Sequence, residues 1–221
     1  MPETAQGLLA ALIDGAQQLE LELSVDAARR LLAITTALAD WNTRVNLTAI
    51  TEPREMLTHH LLDSLSIHAH VRGARIADVG TGAGFPGLPL ALVQPTRHFT
   101  LIDSVAKKLR FVEHVAQLVG LHNVTTVHAR SEQFPRGFPA DQQQAFDTVL
   151  ARALKPLPEL VRLVRPLCSA TTWVLAMKGP RADEEIAALG RDWRIESVID
   201  LRVPGLDGTR KLITLRIATA V

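Results

Sequence analysis

Tyrosine is absent from this chain of 221 residues, tryptophan occurs three times and phenylalanine six times. So sparse an aromatic set argues against a platform that binds single-stranded RNA by stacking bases on exposed rings. Cysteine occurs once, at Cys168, which excludes an internal disulfide. No membrane span is expected. A large positive excess is missing too. With a formal net charge of +1 the chain is no general coat for DNA or RNA, and any RNA contact must be local. Met1 to Gln6 have neither the basic nor the apolar stretch of a secretion signal, so a reducing cytoplasm is the expected setting.

Apolar residues make up 47% of the chain, enough for a large core. Residues 1–72 read as a helical extension. It holds patterns over Leu8 to Glu20, Val25 to Asp40 behind a Ser24 cap, and Pro53 to Ala69 with a stripe of Leu57, Leu61 and Leu65. Residues 73–221 read as the main domain. Strands are expected at Arg75 to Val79, Phe99 to Asp103, Val124 to Ala129, Phe146 to Ala151 and Thr172 to Met177. Helices fall between them at Pro86 to Val93, Val105 to Gly120 with Ser104 as cap, and Leu157 to Leu167. That alternation predicts parallel βαβ units and a doubly wound α/β sheet. A helix near Ala182 to Leu189 precedes two alternating runs, Arg194 to Val203 and Lys211 to Ala218. Joined by a turn-rich segment, these predict an antiparallel pair at the sheet edge. Pro135 to Ala145, rich in Pro, Gly and Gln, is expected to be an exposed loop.

The first strand runs into Asp78-Val79-Gly80-Thr81-Gly82-Ala83-Gly84-Phe85-Pro86-Gly87. Such glycines suit backbone that must take positive φ or lie against a ligand at the carboxyl end of the sheet. The stretch from Gly82 to Gly87 matches the dinucleotide pattern G-x-G-x-x-G, which keeps an NAD enzyme in view. Charge separates the readings. A dinucleotide brings a pyrophosphate anion, whereas S-adenosylmethionine brings an ammonium and a sulfonium, and Asp78 offers a carboxylate to such a cationic head group. Gly80, Gly82 and Gly84 are the expected backbone contacts. Phe85 packs either in the core or on the cofactor. Asp103, at the end of the second strand, is placed to accept ribose hydroxyls or to cap the next helix. Ser131 and Glu132 follow the third strand, where Glu132 is a candidate partner for an adenine amine.

The fourth strand is followed by Leu150-Ala151-Arg152-Ala153-Leu154-Lys155-Pro156, without the Asn/Asp-Pro-Pro-aromatic motif of many base-amine methyltransferases. Cys168 stands alone near a helix end and reads as a small buried hydrophobe, not as the nucleophile of pyrimidine carbon methylation. A target with its own lone pair, such as guanine N7, remains. Arg152 and Lys155 sit where they face the pocket and are candidates for holding a carboxylate or phosphate, or for simple ion pairing. His59 and His60 are adjacent on a helix and point different ways, so they are no metal pair.

Taken in order, several stretches resemble the family of small-subunit ribosomal RNA guanine-N7 methyltransferases called RsmG, or glucose-inhibited division protein B. They are Trp41-Asn42 with Val45 to Thr48, His60 to Leu65, Asp78 to Leu90, Leu101 to Ser104 with Lys107 to Phe111, Arg130 with Glu132, Phe146-Asp147 with Arg152-Ala153, and Met177 to Gly179. The resemblance implies a class I methyltransferase fold and S-adenosylmethionine as cofactor. It implies one guanine of 16S rRNA or of the small ribosomal subunit as target, guanine 527 in the family. It carries cofactor contacts onto Gly80, Phe85, Ser131, Glu132 and Arg152, with Arg152 also the expected catalytic residue. Arg130, Lys178 and Arg210, together with Lys155, are the expected substrate-side residues. The chain departs from the family in a longer Pro135 to Ala145 segment and in Leu154, where a larger aromatic is common. A monomer, no metal and no DNA or membrane partner are expected. A methyltransferase of small molecules or proteins, or a non-catalytic ribosome assembly factor with the same fold, is the competing reading.

Overall fold

The structure, a computed structural model, describes residues 4–130, 133–134 and 145–218. Ser131, Glu132 and all but the last residue of the Pro135 to Ala145 segment lie outside the described residues.

Thr4 caps α1 (Ala5–Gln18) and Ser24 caps α2 (Val25–Asn42), each side-chain oxygen accepting from the backbone N–H three residues on. The expected third helix is instead composite. α3 (Pro53–Met56) passes into a π-helical stretch at Leu57–Leu62, then α4 (Asp63–Leu65) and a 3-10 turn at His68–His70. The leucine stripe at i+4 spacing is buried throughout, as expected of a core-facing helix. The widened turn carries His60 into the interior.

The sheet has seven strands among the described residues, in the order β3-β2-β1-β4-β5-β7-β6. They are β1 (Arg75–Val79), β2 (His98–Asp103), β3 (Val124–His128), β4 (Thr148–Arg152), β5 (Trp173–Lys178), β6 (Trp193–Asp200) and β7 (Lys211–Ile217). β1 to β5 run parallel, and β7 is antiparallel to both β5 and β6. The doubly wound sheet with its antiparallel edge is therefore as the sequence pattern predicts.

Between strands lie α5 (Gly87–Val93), α6 (Ala106–Leu118), α7 (Leu157–Val164) and α8 (Ala182–Ala187). Of the boundaries that differ from expectation, two have a local cause. Ser104 does not cap α6; Val105 holds the cap position, and the Asp103 carboxylate accepts from its backbone N–H at 2.9 Å. α7 stops at Val164 and continues as a 3-10 turn through Pro166, whose ring and missing N–H end the α-helix.

Alternation along the strands divides the core. Ile76, Phe99, Leu101, Leu150 and Leu212 face one side, where they form a single cluster with Leu12, Leu31, Leu38 and Leu61 of the N-terminal helices. Ala77, Val79, Val149, Val174 and Ile213 face the other side, under α7 and α8. Each fully buried leucine contributes about 2 kcal/mol, so the N-terminal helices complete one face of the sheet. Arg30 of α2 fastens that layer by donating to the Val119 and Gly120 carbonyls at 2.8 and 3.3 Å. No described helix is long and apolar enough to cross a membrane.

Candidate active site

The glycine loop leaves β1 and turns over the end of β2. Gly80 and Thr81 donate their N–H groups to Ile102 O at 2.9 and 3.1 Å, and Gly82 donates to the Asp103 carboxylate at 3.0 Å. Gly80 and Gly82 take φ of +69° and +61°, which only glycine holds without strain. Asp78 is buried beneath this loop. One carboxylate oxygen accepts from the Thr81 hydroxyl at 2.6 Å and from Gly87 N–H at 2.9 Å. Burial pushes its carboxyl up to about 6, against the downward pull of those two hydrogen bonds. One oxygen of the side chain expected to meet a cationic head group is thus turned into the loop it organises, and the other, Oδ1, is buried with no hydrogen-bond partner among the described residues. Gly84 also serves packing, since a Cβ there would lie 2.3 Å from a Leu88 methyl.

A cavity of about 450 Å³ opens beside the loop, lined by Gly80, Asp103, Arg130, Phe134, Arg152, Leu154 and Lys155 among others. Each Asp103 oxygen already accepts one backbone N–H, from Val105 or Gly82, and retains a second lone pair for a hydroxyl. A Leu154 methyl sits 2.3 Å from where a Gly80 Cβ would be, so the Gly80 backbone and the Leu154 side chain together shape the floor. Size, carboxylate and bare glycine backbone suit a nucleoside.

A second cavity, of about 560 Å³, lies on the other side of the chain from Arg152 to Lys155, which forms a wall common to both. Ala153 in this wall takes φ +50°, which is uncommon outside glycine. The far wall comes from the N-terminal helices through His59, His60 and Asp63, and from Lys178, Glu185 and Arg210. Asp63 receives Arg152 Nη1 at 2.8 Å and Arg210 Nε at 3.3 Å; Arg152 Nη1 also donates to His59 O at 2.8 Å. Lys178 is buried against Glu185 at 2.9 Å and donates to Lys155 O, while Glu185 also accepts from Leu157 N–H at 2.7 Å. Lys155 is exposed and pairs with Glu159 at 3.4 Å.

His60 stacks on Phe85 with ring centroids 4.8 Å apart and planes 19° from parallel, and the Arg152 guanidinium lies 5.5 Å from the same Phe85 ring. Nε2 of His60 meets Thr48 Oγ1 at 3.0 Å. Asn42 fixes Thr48 in turn, bonding its backbone N–H and carbonyl. Burial first, then the positive field of Arg152 and of His59, lowers the imidazole to about 4, so it is neutral near pH 7. Phe85 therefore packs on His60 and Arg152, behind the first cavity.

Of the residues expected at the site, Gly80, Asp103, Arg130, Arg152 and Lys155 line the first cavity, and Arg152, Lys155, Lys178 and Arg210 line the second. Gly82 supports Asp103, while Asp78, Gly84 and Phe85 stand behind the loop. Arg152 and Lys178 are each held in an ion pair, with Asp63 and Glu185 respectively. Spacing gives Asp63 no role and reads His59 and His60 only as polar, substrate-facing helix residues; both histidines do line the second cavity. Asp63 and His60 lie within a recognisable stretch, but their partners Arg152, Arg210 and Phe85 are distant in sequence. Cys168 donates its S–H to Val164 O at 3.2 Å and burial pushes its thiol up to about 12, in keeping with an inert packing residue.

The profile of the GidB family, described as rRNA small subunit methyltransferase G, matches residues 28–214. A ribosomal RNA small subunit methyltransferase G of Cronobacter sakazakii is 41% identical over 187 residues, covering 85% of this chain and 87% of that protein. The same-named protein of Escherichia fergusonii is 38% identical over 196 residues, covering 89% and 92%. Among solved structures, the fold is shared with a SAM dependent methyltransferase from Aquifex aeolicus, at TM-score 0.54 and 18% identity over 74% of this chain and 93% of that one. It is shared also with TrmN from Thermus thermophilus, at TM-score 0.54 and 20% identity over 73% and 53%. The sheet is thus that of the class I S-adenosylmethionine-dependent methyltransferases.

Proposed function

This chain belongs to the rRNA small subunit methyltransferase G family, and from that premise we propose that it methylates N7 of a single guanine of 16S rRNA, guanine 527 in the family's numbering. The observation that carries the reading is the pair of cavities sharing the wall from Arg152 to Lys155. Reactants seated in two adjoining cavities can meet at the edge where those cavities join, which replaces a bimolecular encounter by positioning.

S-adenosylmethionine, bound in the first cavity, supplies an electrophilic methyl group. When it is bound, Asp103 would accept from its ribose hydroxyls and the Gly80 backbone would lie against it, and Ser131 and Glu132 are the further residues expected at the adenosine. The second cavity holds the target base. Its groups suit a nucleophile that arrives with a free lone pair. His60 is neutral and committed to Thr48, Asp63 is committed to two arginines, and Glu185 is committed to Lys178 and Leu157 N–H. Both carboxylates are thus held by cations, and N7 of guanine needs no base to remove a proton first. Five basic side chains against two carboxylates give this cavity a positive field for an RNA backbone. The N-terminal extension contributes Ile50, His59, His60 and Asp63 to the acceptor side, and the protein acts as a cytoplasmic monomer on rRNA or the small subunit.

The test is incubation with methyl-labelled S-adenosylmethionine and unmodified 16S rRNA, with and without ribosomal proteins, followed by nucleoside analysis. Labelled 7-methylguanosine at one position supports the reading. Label in another nucleoside replaces the N7 assignment. No label, with donor binding intact, turns attention to small-molecule substrates or an assembly role.

A further inference from the structure

Asp63 is 3% exposed and stands at the start of α4, directly after the widened turn. Its two oxygens take one guanidinium each, from Arg152 at the end of β4 and from Arg210 ahead of β7. These residues are 89 and 147 positions away in sequence, so no local preference brings them together. Two guanidinium groups on one wall repel each other, and a carboxylate between them reverses that field. Arg152 spends Nη1 on Asp63 and His59 O, while Arg210 spends Nε on Asp63 and Nη1 on Thr209 O. The Nη2 groups of both, and Nε of Arg152, have no hydrogen-bond partner among the described residues, although both side chains line the second cavity.

The geometry points to Asp63 as a positioning residue of the acceptor cavity, holding Arg152 and Arg210 so that their remaining N–H groups receive an oxygen of the target nucleotide. This inference rests on the methyltransferase reading above and adds to it the element that seats the base. The acceptor is an oxygen, either the carbonyl of the guanine or a flanking phosphate. Arginine donates well to both.

The experiment compares wild type with Asp63→Asn and Arg210→Lys on full-length 16S rRNA, in single-turnover methylation. In the Asn variant the side chain keeps its shape but loses its charge and one acceptor. Its methyl-transfer rate should fall by about thirtyfold, measured well below its melting temperature, with S-adenosylhomocysteine affinity close to wild type. The doubly substituted protein should be little worse than the poorer single variant, because both act through one node. The oxygen is identified with rRNA ligated to carry either 2-aminopurine, which lacks the carbonyl, or a methylphosphonate beside the target. One of these should slow wild type about tenfold and the Asn variant far less. A rate unchanged in Asp63→Asn, additive losses, or equal sensitivity of both proteins to both substitutions would overturn the proposal. If Asp63→Asn does not fold, Arg210→Lys must by itself lower the rate and blunt one substrate substitution, or the inference fails. An inactive wild type removes the methyltransferase reading itself, whereas an active wild type with an equally active Asp63→Asn removes only the role of Asp63.

Discussion

The two cavities are neighbours built by opposite means. The donor side comes from one contiguous loop and the ends of adjacent parallel strands, and its shape is made by backbone: Gly80 and Gly82 at positive φ, with N–H groups bonded to Ile102 O and Asp103. The acceptor side is assembled from π-helix, strand ends and the chain before β7, and its shape is made by charged side chains holding one another. Backbone geometry is intolerant of any added side chain, whereas an ion-paired wall is tolerant in shape and sensitive in charge.

The sharpest way to break that contrast is Gly80→Asp. A side chain there meets Leu154 and must adopt a left-handed conformation costing about 1–2 kcal/mol. S-adenosylhomocysteine affinity, measured calorimetrically, should fall at least a hundredfold, roughly 3 kcal/mol; unchanged affinity would remove Gly80 from the donor floor. Arg152→Ala comes next. It leaves the loop alone but opens the common wall, so turnover on rRNA should drop roughly a hundredfold while donor affinity holds. An equal loss of donor affinity would mean that the two sides are not separable.

A third measurement uses pH. Asp78, raised in the folded protein to about 6 from 3.8, contributes stability that is present at low pH and lost as pH rises through about 6. His60, lowered to about 4 from 6.5, contributes stability that is present above 6.5 and lost as pH falls towards 4. The two slopes oppose each other across the same window. In denaturant titrations from pH 4 to 6.5, Asp78→Asn should therefore gain stability with rising pH, and His60→Gln should lose it. Each change is at most about 3 kcal/mol at 1.4 kcal/mol per pH unit. Parallel curves for both variants and wild type would sink the assignment. The smallest effect belongs to Lys155→Ala, whose exposed pair with Glu159 is worth about 0.5 kcal/mol or less in thermal unfolding. A large loss there would show that Lys155 is tied into the wall more firmly than its exposure indicates.

The same contrast governs how much could be read from sequence. The sheet, its antiparallel edge and most of its strands to within two residues follow from alternation and glycine placement, because those signals are local. The glycine loop was legible for the same reason, as was the place of Asp103 at the end of β2. The direction of Asp78 was not, since the spacing that puts a carboxylate near a head group also puts it under Thr81 and Gly87. Nor was the break in the third helix, because the leucine stripe continues through the π turn at unchanged spacing. Asp63 was out of reach for a plainer reason. Its meaning lies in Arg152 and Arg210, and nothing within a helix records which distant cations will arrive.

The strand order carries a consequence for how the chain comes into being. β6 precedes β7 in sequence, yet β6 joins the sheet only through β7, which lies between it and β5. During synthesis, which runs from the N-terminus, β6 emerges as an edge with nothing to pair with. It waits for the strand that follows. Arg210 is the residue immediately ahead of that strand. The insertion of one ribbon therefore seats the orphaned edge and delivers the second arginine to Asp63, so a nascent chain can form its donor loop well before it has an acceptor wall.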